Sequence, residues 1–492
     1  MHKIPFVVVF LLFSGQFISA QDRQIHADTS VVSERETVIR GENVPYRVTV
    51  GTQPVWNDEG KVVAALHYTY YERMDVEDRS ERPLMISFNG GPGSASVWMH
   101  LGYTGPYFLN IDPEGYPVQP YGVVPNEHSV LDATDILFVN PVNTGYSRIL
   151  DPEADREDFF GIEADIRYLA EWINTFVSRN ERWTSPKFLI GESYGTTRVA
   201  GLALELQNRQ WMYLNGVILV SPTHMGIDRD GPVGVANRVP YFAATAWYHG
   251  VLEPDLQELD LYDVLEKAEN FAIEELLPAL VRGGFMEEDK RLQMAESIAR
   301  FSGLDVKTVL QYNLDVDYAS FWKLLLQDRG YTVGRLDSRY LGIDRMEAGT
   351  RPDYWAELTS WLHSFTPAVN HYFREKLGFM TDVKYNMFGP VQPWDRSDDN
   401  TAENLRQAMA QNPYLNVLFQ VGYYDGATTY FNAKYSMWQM DPSGKLRDRM
   451  RYEGYRSGHM MYLRHEDLDL SNQHLREFIL ESLPSKGEPA RY

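Results

Sequence analysis

Phe188-Leu189-Ile190-Gly191-Glu192-Ser193-Tyr194-Gly195-Thr196 runs from an apolar stretch into G-x-S-x-G, and residues 197–207 continue with the spacing of a helix. A sharp strand-to-helix turn lifts a serine oxygen above the sheet edge, and small residues two positions to either side let the backbones pass closely. Ser193 is therefore a candidate nucleophile. The backbone N–H of Tyr194, at the start of the helix, can point at a developing oxyanion. A plain structural turn is the competing reading of a bare G-x-S-x-G, but the setting between a buried strand and a helix favours the nucleophile.

Upstream and downstream of this segment, short apolar runs at 84–88, 136–139 and 217–220 have the character of buried parallel strands. Residues 45–55 and 62–71 alternate in side-chain character and fit a hairpin around Asn57-Asp58-Glu59-Gly60. A helix beginning near Asp158 places Ile162, Ile166, Leu169, Trp172, Ile173 and Phe176 on one face. Strands alternating with helices predict an α/β fold with a doubly wound, mostly parallel sheet. From about Arg229 to Thr381 the texture becomes helical, with frequent Trp, Tyr and Phe, and strand-like runs return at 415–421 and 450–455. The simplest organisation is an α/β core over 21–228 and 385–492, split by a helical cap insertion over 229–384.

A second glycine-rich segment, Asn89-Gly90-Gly91-Pro92-Gly93-Ser94-Ala95-Ser96, follows the run at 84–88. Its glycines let backbone N–H groups approach a ligand, as an oxyanion loop requires, and no Gly-Lys-Ser/Thr ending is present to make it a phosphate cradle. Gly91 is the candidate donor opposite Tyr194. An α/β hydrolase places its acid and then its histidine after the serine. Asp425, in Gly422-Tyr423-Tyr424-Asp425-Gly426, and His459, in Gly458-His459-Met460-Met461-Tyr462, meet that order, each just past a strand. Asp425 can fix the imidazole tautomer while His459 takes the Ser193 proton. His371, His465 and His474 lack that context. There is no H-E-x-x-H or other metal-ligand spacing, so neither metal nor cofactor is expected.

Composition narrows the field further. The 492 residues carry a formal net charge of −22 and no cysteine. That excludes disulfides, thiolate metal sites and a cysteine nucleophile, and it argues against a nucleic-acid partner. Residues 1–20 read as an export signal, with Lys3, an apolar run at 6–13 and Ile18-Ser19-Ala20 as cleavage site. The mature chain is then expected to be periplasmic or secreted, with no integral membrane span after cleavage.

Asn89-Gly90-Gly91-Pro92-Gly93, Gly191-Glu192-Ser193-Tyr194-Gly195 and Gly458-His459-Met460, in this order around a long insertion, resemble the serine carboxypeptidase family. Val97-Trp98-Met99-His100-Leu101-Gly102, following Ser96, is similar to its bacterial branch, and Asp135 to Pro141 with Thr144-Gly145-Tyr146-Ser147 also looks like the family. The resemblance implies release of single residues from the C-termini of peptide or protein substrates, favoured at acidic pH. It implies a triad of Ser193, Asp425 and His459, oxyanion donation by Gly91 and Tyr194, and binding of the substrate's terminal carboxylate by Asn89, Gly90 and Glu192. A protein carboxyl facing a substrate carboxylate must be protonated to donate, which is the physical sense of the acidic preference.

Four features depart from the family pattern. Ser94 stands where eukaryotic members carry a cysteine, and Asn140 and Asn143 replace the usual Asp and Gly. Gly102-Tyr103-Thr104 precede Gly105-Pro106 where a second glutamate is usual. An esterase or acyltransferase using the same triad is therefore the alternative reading, and a catalytically silent binding protein on the same fold is a third.

Overall fold

The apolar runs around the serine become neighbouring strands of one sheet in the computed structural model, which describes residues 23–397, 399–485, 487–489 and 491. The export signal read over 1–20 lies outside the described residues. The strands are β1 (Thr29–Ile39), β2 (Glu42–Trp56), β3 (Val62–Arg73), β4 (Leu84–Phe88), β5 (Tyr107–Leu109), β6 (Val123–Pro125), β7 (Asp135–Val139), β8 (Arg148–Ile149), β9 (Lys187–Glu192), β10 (Gly216–Val220), β11 (Thr332–Val333), β12 (Leu341–Gly342), β13 (Asn416–Gly422) and β14 (Met450–Tyr455). The main sheet has the order β1-β2-β3-β7-β4-β9-β10-β13-β14, with β8 pairing β3 off that path. Pairing is antiparallel from β1 to β7 and parallel from β7 onward.

Every residue of β4, β7, β9 and β10 is buried, because helices cover both faces of the sheet there. One face packs on the helices Ile162–Arg179, Tyr194–Arg209 and Thr401–Gln411. On the other face lie the helices Ala356–His371 and His465–Glu481. β1 does not stand out in the sequence as a strand. It lies at the sheet edge with most of its residues exposed, and Glu34, Arg35 and Glu36 put charge where alternation would show. Charge on an outer strand also discourages edge-to-edge association.

The stretch expected to form one helical insertion divides between two apolar clusters. Helices Pro232–Tyr248 and Glu288–Ser302 belong to a separate cluster, joined there by Tyr424 and Phe431. Trp361, Phe365, Ala368 and Val369 instead pack with Ile136, Phe138 and Ile190 of the sheet. Their spacing makes one apolar stripe on a helix, and the sheet supplies the surface that buries it.

A buried ion pair ties these layers to the serine. Arg198, on the helix that follows Ser193, donates from Nε to Asp165 Oδ2 at 2.7 Å and from a terminal nitrogen to the carbonyl of Asn89 at 2.7 Å. Both side chains are fully enclosed. Removing one partner strands a charge in a low-dielectric interior. Arg198→Ala is expected to destabilise the fold by roughly 3–5 kcal/mol, read as the urea midpoint at constant slope. Arg198→Met with Asp165→Leu should recover a large part of that loss. A double variant no better than the single one would show that the Asn89 contact, and not the stranded carboxylate, carries the cost.

Candidate active site

Ser193 sits where β9 ends and the helix Tyr194–Arg209 begins, with φ 57° and ψ −126°. A non-glycine residue in such a conformation stores about 1–3 kcal/mol of strain and persists only where its surroundings hold it. Here Ser193 N–H donates to Val220 O at 2.9 Å, and its own carbonyl accepts from Thr196 N–H at 2.9 Å. The glycines are needed for space: a Cβ on Gly191 would stand 2.1 Å from Gly195 O, and one on Gly195 2.9 Å from Phe88 O.

Asp425 and His459, expected from the sequence order as acid and base, are brought together. Asp425 Oδ2 and His459 Nδ1 are 2.7 Å apart, and both residues are buried. Asp425 is held in turn by the N–H groups of Ala427 and Thr428, at 2.8 and 3.0 Å, and by Thr428 Oγ1 at 2.7 Å. Thr428 Oγ1 also lies 2.9 Å from Ser221 O, so its one proton is shared between Asp425 and the carbonyl that follows β10. Nothing in the sequence marked Thr428. Burial opposes charging the His459 imidazole, but the Asp425 carboxylate, with Glu192 behind it, outweighs burial and holds its pKa above the ordinary histidine value.

The glycine-rich loop packs directly on the serine turn. A Cβ on Gly90 would lie 2.4 Å from Tyr194 N and 2.9 Å from Ser193 Cβ, so only glycine fits there. Gly91 has φ +103°, the left-handed region that glycine alone adopts without strain. Ser94, at the cysteine position of eukaryotic members, accepts from Trp98 Nε1 at 2.9 Å, and Asn140 Oδ1 accepts from Ser96 N–H at 2.9 Å. Both departures from the family pattern thus hold the loop in place by hydrogen bonds.

Asn89 and Glu192 form a buried pair, with Asn89 Nδ2 donating to Glu192 Oε1 at 2.9 Å. The other carboxylate oxygen of Glu192 accepts from the hydroxyl of Tyr462. Tyr462 stacks on Tyr103, with ring centroids 4.8 Å apart. Burial pushes the Glu192 carboxyl up to about 7, against the opposing pull of His459, Tyr462 and Asn89. Tyr462 stands three residues past His459 in the same motif, and its alignment with Glu192 is a three-dimensional fact that spacing alone does not carry.

Gly90, Gly91, Glu192, Ser193 and His459 line one cavity of about 330 Å³. Asn89, Tyr194 and Asp425 do not: Asn89 lies behind Glu192, Asp425 lies behind His459, and the Tyr194 ring packs on Trp394. The loop between β11 and β12 also enters the cavity wall with Arg335 and Leu336. Its carbonyls accept from the loops that carry Asp425 and His459: Arg335 O from Gly426 N–H at 2.9 Å, and Leu336 O from His459 N–H at 2.6 Å. Leu336 N–H in turn donates to the buried Glu357 carboxylate at 2.8 Å. The remaining histidines lie in other contacts: His371 beside Glu375, His474 on the Tyr455 hydroxyl, and His465 against Phe108.

A mostly parallel sheet that delivers a serine on a strand-to-helix turn, with acid and histidine following later strands, is the architecture of the α/β hydrolases. The prohormone-processing carboxypeptidase Kex1 of Saccharomyces cerevisiae shares that fold, with TM-score 0.53 over 90% of this chain and 93% of its own at 14% identity. Within that class, the family model for serine carboxypeptidases matches residues 55–447, and the chain belongs to that family. It is similar to human retinoid-inducible serine carboxypeptidase, 33% identical over 141 residues, which is 28% of each chain. It is also similar to serine carboxypeptidase-like 31 of Arabidopsis thaliana, 26% identical over 213 residues, 41% of this chain and 39% of the relative. The matched segments thus span less than half the length of these curated relatives.

Tyr462→Phe keeps the ring on Tyr103 and removes one donor from Glu192. A hydrogen bond to a carboxylate favours the charged form, so its loss should raise the Glu192 titration above 7. Carbon-13 NMR of labelled glutamate carboxyls reads this directly. An unmoved resonance would show that Tyr462 does not hold the charged form.

Proposed function

We propose that this protein is a serine carboxypeptidase that releases C-terminal residues from peptides through an acyl-enzyme. Ser193 Oγ attacks the last peptide carbonyl while His459 Nε2 takes its proton, and Asp425 keeps the other ring nitrogen protonated. The N–H groups of Gly91 and Tyr194 receive the oxyanion. His459 then hands the proton to the departing amine, and water releases the acyl group by the same path in reverse.

The observation that carries peptidase over esterase is the Asn89–Glu192 pair beside Ser193. A neutral ester needs no carboxylate receptor. A peptide C-terminus does, and a buried acid with its pKa near 7 supplies one when protonated. The sign follows from that value. Below it Glu192 is neutral and its O–H can donate to the substrate carboxylate; above it two anions face each other and binding weakens. Export to the periplasm or medium is part of the same reading and rests on residues 1–20.

Mass spectrometry of an N-blocked peptide ladder at about pH 5 and 7.5, spanning that titration, tests the activity. Stepwise loss of C-terminal residues, abolished in Ser193→Ala, is the expected result. A protein that leaves the ladder intact while a fluorophosphonate still labels Ser193 would point to ester or acyl-transfer chemistry. The carboxylate receptor has its own test. KM for peptides should rise roughly tenfold per pH unit above the Glu192 titration, and Glu192→Gln should flatten that rise while sparing hydrolysis of a neutral ester. An unchanged pH profile in Glu192→Gln would remove Glu192 from the binding site.

A further inference from the structure

Three ionisable side chains line the cavity among the described residues: Glu192, His459 and Arg335. The first two are engaged with Asn89 and Tyr462, and with Asp425. Arg335 is exposed, and no carboxylate among the described residues forms an ion pair with it. Asp337 and Asp344 already have cations, Arg339 at 2.7 Å and Lys323 at 2.6 Å, and the buried Glu357, which feels the Arg335 charge, accepts from Leu336 N–H and makes no ion pair with it. The Arg335 guanidinium lies over the Trp355 ring, 5.7 Å from its centroid. An unpaired cation at the wall of the cavity, in a chain of net charge −22, is a local reversal of the molecule's sign.

The root of this side chain is fixed relative to the chemistry. Arg335 O is bonded to the acid loop through Gly426 N–H, and the next carbonyl is bonded to His459 N–H. Trp98, Leu358, Phe388 and Met460 give the cavity an apolar part, and Ser94 and Gln392 are neutral. A peptide whose α-carboxylate is taken by Glu192, with Asn89 behind it, leaves Arg335 as the one charged group of the wall available to its side chains.

We propose that Arg335 is a specificity residue, selecting peptides that carry an acidic side chain next to the scissile bond over their neutral isosteres. The inference rests on the carboxypeptidase reading and adds the substrate class. An exposed guanidinium–carboxylate contact is modest and screened by salt, so the effect is one of ratio.

The test uses N-blocked peptide pairs that differ only by Glu or Gln at the last or the penultimate position, at about 0.05 and 0.5 M salt. Wild type should show kcat/KM about three- to fivefold higher for the acidic member at low salt, with the gap closing at high salt. Arg335→Gln should abolish the difference, and Arg335→Glu should turn the preference toward a lysine at the same position. Equal rates for Glu and Gln peptides in wild type, or a preference that survives Arg335→Gln, would overturn the proposal. A uniform loss over all peptides in Arg335→Gln would also overturn it, placing Arg335 in loop support or on the α-carboxylate. If wild type trims no peptide at all, the carboxypeptidase reading fails and this inference falls with it.

Discussion

The left-handed turn at Ser193 is the constraint around which the rest of the structure is arranged. Its strain of about 1–3 kcal/mol has to be held by neighbours on every side. β9 must stop at Glu192, β10 must present Val220 O to the serine N–H, and the following helix must start at once. Three glycines exist for this reason, since Gly191, Gly195 and Gly90 each fill a space where a methyl group would strike backbone. Arg198 fastens the same helix to the glycine-rich loop below. Parallel pairing of β4, β9 and β10 then sets these backbones side by side, and Ser193 reaches the cavity from that packing.

Much of this was legible before any coordinates. The buried central strands are continuous apolar runs, the helices have clean periodicity, and the turn declares itself by its glycines. What stayed hidden was of two kinds. β1 is an edge strand whose charged residues mask alternation. Tyr462 and Glu357 contribute through contacts with other elements of the chain, and no local pattern encodes a hydroxyl meeting a carboxylate 270 positions away. The region holding the helix Ala356–His371 reads as helical, but the surface that buries it, the sheet, is a property of the fold and not of its own sequence.

The β11–β12 loop changes the meaning of the long stretch between β10 and β13. It is more than a roof, because its backbone carbonyls hold the acid loop and the histidine loop in register with each other. Asp337 and Arg339 extend that bracing to Ser457, two residues before His459. Gly458 passes so close to Asp337 that a Cβ would stand 2.5 Å from it. Variation in this region therefore reaches the imidazole through main-chain contacts as well as through whatever surface it offers to substrate.

Strand order carries a consequence for how the molecule is made. By the time Val220 has been synthesised, the serine and its turn are encoded, but β10 still shows an open parallel edge that only β13 can cover. Asp425 and His459 follow β13 and β14, so a growing chain holds Ser193 without the buried pair that completes its surroundings. Long-range pairing of this kind is slow, and an uncovered edge invites association in the meantime. The same delay keeps the cavity unfinished: Ser193 and His459 come to share one wall only when the last strand has been added to the sheet.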